Sequence, residues 1–128
     1  MATQSRPGKH MLKRLAIIPL VFFLLVNYVV ARELDCHGEW KGKKVSQHQL
    51  KSILAKHQQW LATGNESTNS TKANLCGSDL HAVNLSGQDL SFIDLSGANL
   101  SSADLSQAQL FGANLFKVYL RDADLHEA

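Results

Sequence analysis

Hydrophobic positions in the second half of the chain recur every five residues. Residues 73–127 divide into eleven blocks, each with leucine at its centre, Asp or Asn usually just before it, and a small or apolar residue usually two positions before it. The central leucines, which we predict to form the core ladder, are Leu75, Leu80, Leu85, Leu90, Leu95, Leu100, Leu105, Leu110, Leu115, Leu120 and Leu125. A fixed internal period of this kind determines the whole architecture, so it outranks other sequence signals.

A period of five matches neither the 3.6-residue repeat of a helix nor the two-residue repeat of a strand. It is typical of a chain that turns a corner every five residues. Four blocks then form one square coil of about twenty residues, and successive coils stack at a strand spacing of about 4.8 Å. The leucine and the small residue point inward, and the Asp or Asn bonds the local backbone. Gln88 stands at an inward position, so it needs a partner or a place near one end of the stack.

The pattern resembles the consensus A-[DN]-L-x-x of the pentapeptide-repeat family over residues 73–127. The resemblance implies an all-β solenoid, a right-handed quadrilateral β-helix. Gln109 and Tyr119 depart from the consensus before the leucine, and Ser78 and Gln88 depart from it at the inward position. These departures bear on the exact coil geometry rather than on the fold.

A short α-helix is predicted directly before the repeats, over about residues 46–62. Ser46 as N-cap and Gln49 three residues later form a capping box, and Gly64 supplies a stop signal. The residues of the apolar stripe are Leu50, Ile53, Leu54, His57, Trp60 and Leu61. We expect this stripe to cover the open end of the first coil.

The pattern formed by His57, Trp60, Leu61 and Gly64 also resembles the helical cap that precedes the repeats in many members of the family. We interpret His57 as a partly buried histidine hydrogen-bonded at the cap, rather than as a ligand or a base. Trp60 is interpreted as a core anchor, because a large ring on an apolar face buries much area.

The N-terminus has the features of a secretory signal peptide. Residues 1–14 contain four basic residues and no acidic one, and an unbroken apolar run follows at 15–26. Val29 and Ala31 suit the two specificity positions, so we predict cleavage after Ala31. The protein would then be periplasmic or otherwise extracytoplasmic. The alternative is an uncleaved helix anchored in the inner membrane, near the lower limit of roughly 17 residues that span a bilayer.

Three segments follow from these signals: a signal peptide at 1–31, a leader with the capping helix at 32–72, and the repeats at 73–127. The formal net charge of +2 belongs to the precursor. Four of the 13 Lys and Arg residues and none of the 11 Asp and Glu residues lie in 1–31, so the remainder is slightly acidic. The positive net charge of the precursor is therefore no evidence that the protein binds nucleic acid.

Cys36 and Cys76 both lie in the part predicted to be exported. An even cysteine count outside the cytosol predicts a disulfide. Because Cys76 lies in the first block, the bond would tie the leader to the first coil and stabilise the fold by roughly 3 to 5 kcal/mol. Two free thiols are the alternative.

The repeats end after about two and three-quarter coils, little more than a minimal stack for a solenoid. An unpaired last coil is an exposed edge. Since family members often pair through their C-terminal ends, the resemblance implies a homodimer, with an unknown protein partner as the alternative. Phe111, Phe116 and Tyr119 lie near this end as a candidate interaction surface. Stacking twenty residues apart gives Phe92 no aromatic neighbour, because Gly112 occupies that position.

We expect no catalytic, metal-binding or cofactor-binding residues, because the sequence contains no recognisable triad, metal-ligand spacing or phosphate loop. The predicted function is a non-catalytic, exported structural or protein-interaction module. A scaffold tethered by an uncleaved N-terminal helix is one alternative. Another, implied by the resemblance, is a nucleic-acid-mimicking protein of the gyrase-protecting type, against which the signal peptide and the short rod argue.

Overall fold

The computed structural model describes residues 36–64 and 70–128, which belong to one unit of structure, Cys36–Ala128. The signal peptide or anchor predicted for residues 1–31 lies outside the described residues. Within the described ranges, no helix combines the length and the apolar character that a membrane crossing requires.

The repeats wind into stacked coils, and each block forms one side of a coil. The residue before each central leucine forms a single parallel bridge with the residue twenty positions later. The bridged pairs are Asn74 with Asp94, Asp79 with Asn99, Asn84 with Asp104, Asp89 with Gln109, Asp94 with Asn114, Asn99 with Tyr119 and Asp104 with Asp124. The twenty-residue coil predicted from the period of five is therefore confirmed. We number the coils 1 (73–92), 2 (93–112) and 3 (113–128).

Pairing is limited to these single-residue bridges, and the described part of the chain contains no extended strand. The description of the repeats as all-β is corrected to this extent. The reason lies in the corners, where the third residue after each bridge adopts a left-handed backbone. This conformation interrupts an extended run, and it costs a non-glycine residue about 1 kcal/mol or more. This cost does not arise at Gly77 and Gly97, but it is incurred at Ser102 (φ 58°) and Lys117 (φ 53°).

Three backbone hydrogen bonds join each side of one coil to the next. On the first side, the Leu75 N–H donates to Asp94 O (2.8 Å), the Gly77 N–H donates to Ser96 O (2.7 Å), and the Asp94 N–H donates to Ala73 O (3.2 Å). The upper edge of a coil, which faces higher-numbered residues, thus presents two N–H groups and one carbonyl per side. The lower edge presents the complement.

The core consists of the inward leucines and the small residues between them. The fully buried ladder residues are Leu75, Leu80, Leu85, Leu90, Leu95, Leu100 and Leu105. Both polar exceptions at inward positions find partners. The Ser78 hydroxyl donates to Leu75 O at 2.6 Å, and the Gln88 side chain accepts a hydrogen bond from Gln58 at 3.3 Å. Gln88 therefore meets the requirement stated for it, because it lies beside the capping helix.

The Asp and Asn side chains before the leucines hold the turns. Asp79 Oδ1 accepts the His81 N–H at 3.1 Å, the two-residue contact expected of an Asx turn. The same oxygen accepts Nδ2 of Asn99, one coil away, at 3.2 Å. Asn114 Nδ2 donates to Asp94 Oδ1 in the same way. In each of these two columns, an amide donor of one coil thus faces a carboxylate acceptor of the preceding coil.

Helix α1 spans Gln47–Thr63, one residue later at each end than the predicted range. Ser46 Oγ accepts the Gln49 N–H at 3.3 Å, and Gln49 Oε1 accepts the Ser46 N–H at 2.9 Å. The predicted capping box is therefore present. Gly64 ends the helix in a left-handed conformation, and its N–H donates to Trp60 O. Leu50, Leu54 and His57 form the buried face of α1.

Candidate interaction site

The lower edge of coil 1 is partly covered by the backbone of the leader. Lys44 forms a parallel bridge with Asp79. The Val45 N–H donates to Asp79 O at 3.0 Å, and the Asp79 N–H donates to Lys43 O at 2.9 Å. Val45 is buried in the core. The last residues of the leader, up to Val45, therefore act as one side of a preceding coil.

A side chain covers the next side of the same edge. Gln47, the first residue of α1, donates from Nε2 to Asn84 O at 2.9 Å and accepts the Asn84 N–H on Oε1 at 3.0 Å. A side-chain amide carries the same donor and acceptor as a peptide group. Gln47 therefore replaces the bridge residue that a further coil would provide. This role could not be predicted from the sequence, because a polar residue in the first turn of a helix is common.

His57 joins α1 to two further points of coil 1. Its Nδ1 accepts the Ala73 N–H at 3.1 Å, and its Nε2 lies 3.0 Å from Ser91 O. A peptide N–H can only donate, so the ring proton resides on Nε2 and is donated to Ser91 O. The ring is fully buried, as its interpretation as a hydrogen-bonded cap histidine requires.

Burial is the main cause that lowers the pKa of His57, because it disfavours the charged ring. The Lys72 ammonium also lowers it, while the hydrogen bond to Ser91 and the Asp89 carboxylate act in the opposite direction. His57 is thus held in its neutral form.

The remaining cap residues lie nearer the surface than predicted. Trp60 and Leu61 are half-buried and lie outside the buried core cluster, so the interpretation of Trp60 as a core anchor is wrong. The Trp60 ring instead stacks on the His57 ring, with 5.8 Å between centroids. The Lys72 Nζ lies 5.9 Å from the centre of the same indole. Ile53 is also half-buried, but it packs against the core.

The predicted disulfide between Cys36 and Cys76 is present. Cys76 is buried, and its Sγ accepts the Gly38 N–H at 3.2 Å. The bond links the start of the leader to the first block across a sequence separation of 40. It therefore holds the leader on coil 1 independently of α1.

The upper edge of the last turn of the solenoid is different. Within the described ranges, its two N–H groups and one carbonyl per side form no hydrogen bond. The N–H groups belong to Leu110, Gly112, Leu115, Lys117, Leu120, Asp122, Leu125 and Glu127, and the carbonyls to Ala108, Ala113, Val118 and Ala123. We call this set the upper-edge site.

The leucine ladder is also incomplete here. Leu110, Leu115 and Leu120 are half-buried, and Leu125 is 42% exposed. These leucines were predicted to belong to the core like the others, which is wrong for Leu125, since no coil of the described chain lies over it. An apolar surface therefore adjoins the unpaired peptide groups.

Aromatic side chains surround the same region. Phe111 is 75% exposed and Tyr119 is 64% exposed, and Phe116 is also exposed. Phe92 gains no aromatic neighbour twenty residues further along, but its ring meets Phe111 edge-on, with centroids 5.4 Å apart. The Phe92 ring lies against Gly112, where an added Cβ would be 2.7 Å from it. A glycine twenty residues after an aromatic residue was the signal that could have revealed this contact.

The groups that the site can present to a partner are exposed side chains and unpaired backbone peptide groups. The part of the chain that the structure describes contains no group of three or more His, Cys, Asp or Glu side chains that could hold a metal ion. A cleft of about 510 Å³ lies between the leader and α1, and Trp40, Lys56 and Lys72 are among its lining residues. Both thiols are consumed by the disulfide, so neither is available as a nucleophile.

A family model for pentapeptide repeats matches residues 78–115 in eight copies. No curated protein and no solved structure matches the chain. The matched residues include most of coils 1 and 2, where bridged residues lie twenty positions apart and the leucines up to Leu105 are fully buried. Over residues 78–115, the chain therefore contains pentapeptide repeats.

Proposed function

We propose that this protein is a non-catalytic, exported interaction module that binds another protein through its upper-edge site. The proposal includes a right-handed, four-sided β-helix, the form implied by the resemblance to the pentapeptide-repeat family. The main support for the proposal is that one edge of the solenoid is covered and the other is not. The lower edge of coil 1 is covered by the leader backbone, the Gln47 side chain and the His57 ring. Nothing among the described residues covers the upper-edge site.

The first candidate partner is a second copy of the chain. Two upper-edge sites that meet around a two-fold axis would cover the exposed leucines of both copies. Each edge offers two N–H groups for every carbonyl, so two such edges cannot satisfy all their peptide groups with each other. Apolar contact around Leu120 and Leu125 would therefore carry the dimer, and the surplus N–H groups would stay with water.

Sedimentation equilibrium of residues 32–128 tests this proposal. We expect a concentration-dependent dimer that Leu125→Asp abolishes, because a charge at this position would be buried by the partner. Leu125 is already 42% exposed, so the variant should remain folded. Ala55→Asp, on the exposed surface of α1, is the matched control and should dimerise like the unmodified protein.

A wild-type protein that is monomeric at every concentration would exclude the second copy as partner. Crosslinking in the native compartment, through a photoreactive residue at Phe111, would then identify another protein. If the only crosslinks found are also obtained with the label at Ala55, the proposal of an upper-edge interaction site fails.

Export is supported by the Cys36–Cys76 disulfide, because such bonds persist mainly in oxidising compartments. The test is the intact mass of the protein recovered from its native compartment. We expect a chain that begins at Arg32. Retention of residues 1–31 would instead favour the alternative of a membrane-tethered scaffold, with the same upper-edge site.

A further inference from the structure

We infer that His57 is a proton-controlled latch, which releases α1 from coil 1 when the pH falls while the leader stays attached. The inference concerns the lower edge and does not depend on the proposed function of the upper-edge site.

The geometry of the ring allows only its neutral form. Nδ1 must accept the Ala73 N–H, and Nε2 must donate to Ser91 O. A protonated imidazole carries a hydrogen on both nitrogens. Whichever way the ring is turned, one N–H would then point at the Ala73 N–H. Protonation therefore replaces a hydrogen bond by a donor–donor repulsion in a fully buried place.

The surrounding charges do not remove this conflict. Asp89 on coil 1 favours the charged ring, but its carboxylate is engaged with the Ser91 N–H at 3.0 Å. Lys72, from the segment that enters coil 1, opposes the charged ring. Trp60, the neighbour from α1 itself, is uncharged and stacks on the imidazole. The balance of these influences is a pKa below the ordinary value, with burial as the largest cause.

The attachments of the leader do not involve His57. The disulfide holds Cys36 to Cys76, and Lys43 and Val45 bond to the backbone of Asp79. Release of α1 would therefore expose only part of the lower edge of coil 1, including the Ala73 N–H and the Ser91 carbonyl. In acid, the lower edge of coil 1 would thus be partly unpaired, and the released amphipathic helix α1 would stay tethered to it.

The direction of the pH dependence follows from proton uptake. The pKa of His57 is lowered from 6.5 in the docked state and returns toward 6.5 when α1 leaves. The docked state is thus fully stabilised above about pH 6.5 and loses this stabilisation as the pH falls toward the lowered pKa. Between the two pKa values, up to one proton is bound per opening, so the opening constant rises by at most about tenfold per pH unit.

Hydrogen exchange of the α1 amides, measured by NMR from about pH 7.5 to 4.5 and corrected for the intrinsic rate, tests the latch. In the wild type we expect protection of α1 to fall as the pH is lowered through this range, by at most about tenfold per pH unit. His57→Gln should remove that dependence, because glutamine can donate to Ser91 O and accept from Ala73 without titrating. The matched control is His48→Gln, on the exposed side of the same helix, which should behave like the wild type.

An unchanged protection of α1 in acid would overturn the inference, as would an acid response of equal size in His57→Gln. If glutamine fails to hold α1 at neutral pH, the imidazole signals of wild-type His57 decide. Titration near 6.5 with α1 still protected contradicts the latch. Titration at a lower pH, together with the loss of the Ala73 amide hydrogen bond, supports it.

Discussion

The two ends of this solenoid begin from the same chemistry and differ in almost every contact. Each side of a coil exposes peptide groups above and below, and the repeat pattern is the same at both ends. At the lower end, a leader backbone, a glutamine amide and a histidine ring take the places of peptide groups in a missing coil. At the upper end, within residues 36–64 and 70–128, those places have no partner. A repeat edge thus needs only donors and acceptors at the right points, and not another repeat.

The largest expected effect concerns the covalent link at the lower end. Replacing both Cys36 and Cys76 by serine should lower the free energy of unfolding by about 4 kcal/mol, because a closed loop with a sequence separation of 40 is released. Urea unfolding followed by circular dichroism measures this loss. Reduction of the wild-type disulfide should reproduce it without a mutation. A loss below about 1 kcal/mol in both experiments would show that the non-covalent cap alone holds the leader.

Truncation of one leucine at each end compares the two directly. Leu80→Ala, at a fully buried position of coil 1, should cost about 2 to 5 kcal/mol through lost burial and a new cavity. Leu125→Ala, which is 42% exposed, should cost about 1 kcal/mol or less in dilute protein. Equal costs in dilute solution would contradict the contrast between the ends. A cost for Leu125→Ala that grows with protein concentration would indicate that a second copy covers it.

The smallest effect is expected from a variant that tests whether the Gln47 side chain replaces a backbone peptide group. Gln47→Ala should lower the free energy of unfolding by about 1 kcal/mol, because the Asn84 N–H and carbonyl lose their partner. The control is Gln59→Ala on the exposed surface of the same helix, which should be nearly neutral. Thermal unfolding of the three proteins resolves the difference. Equal midpoints for the two variants would mean that water serves Asn84 as well as Gln47 does.

The coil and the capping box could be predicted from the sequence because each rests on local spacing, and the disulfide could be predicted because the chain contains two cysteines, both in the part expected to be exported. A leucine every fifth residue requires a corner every fifth residue, and Ser46 with Gln49 needs only one turn of helix. The roles of Lys43, Val45 and Gln47 could not be predicted in this way. They depend on where α1 lies over coil 1, a property of the assembled fold.

The sequence did not reveal which of the repeat leucines are buried, and the reason is different. Leu75 and Leu125 occupy identical positions in the repeat, yet one is fully buried and the other 42% exposed. Periodicity records which way a side chain points, but not whether another coil lies over it. The contact of Phe92 with Phe111 was missed because stacking was considered only between residues twenty apart, whereas these two are 19 apart and meet across a corner.

The pairing of Asp79 with the amide of Asn99, twenty residues later, has a consequence for how such a chain can change in length. Loss of one block, for example residues 93–97, would leave every leucine inward. It would also move Asp104 onto Asp79, where Asn99 now donates to the carboxylate, and Lys117 onto the ring of Phe92 that Gly112 now accommodates. Duplication of residues 93–112, a whole coil, would preserve both contacts. A gain of one whole coil is therefore compatible with contacts between coils that a change of one five-residue block would disrupt, although the block is the period seen in the sequence.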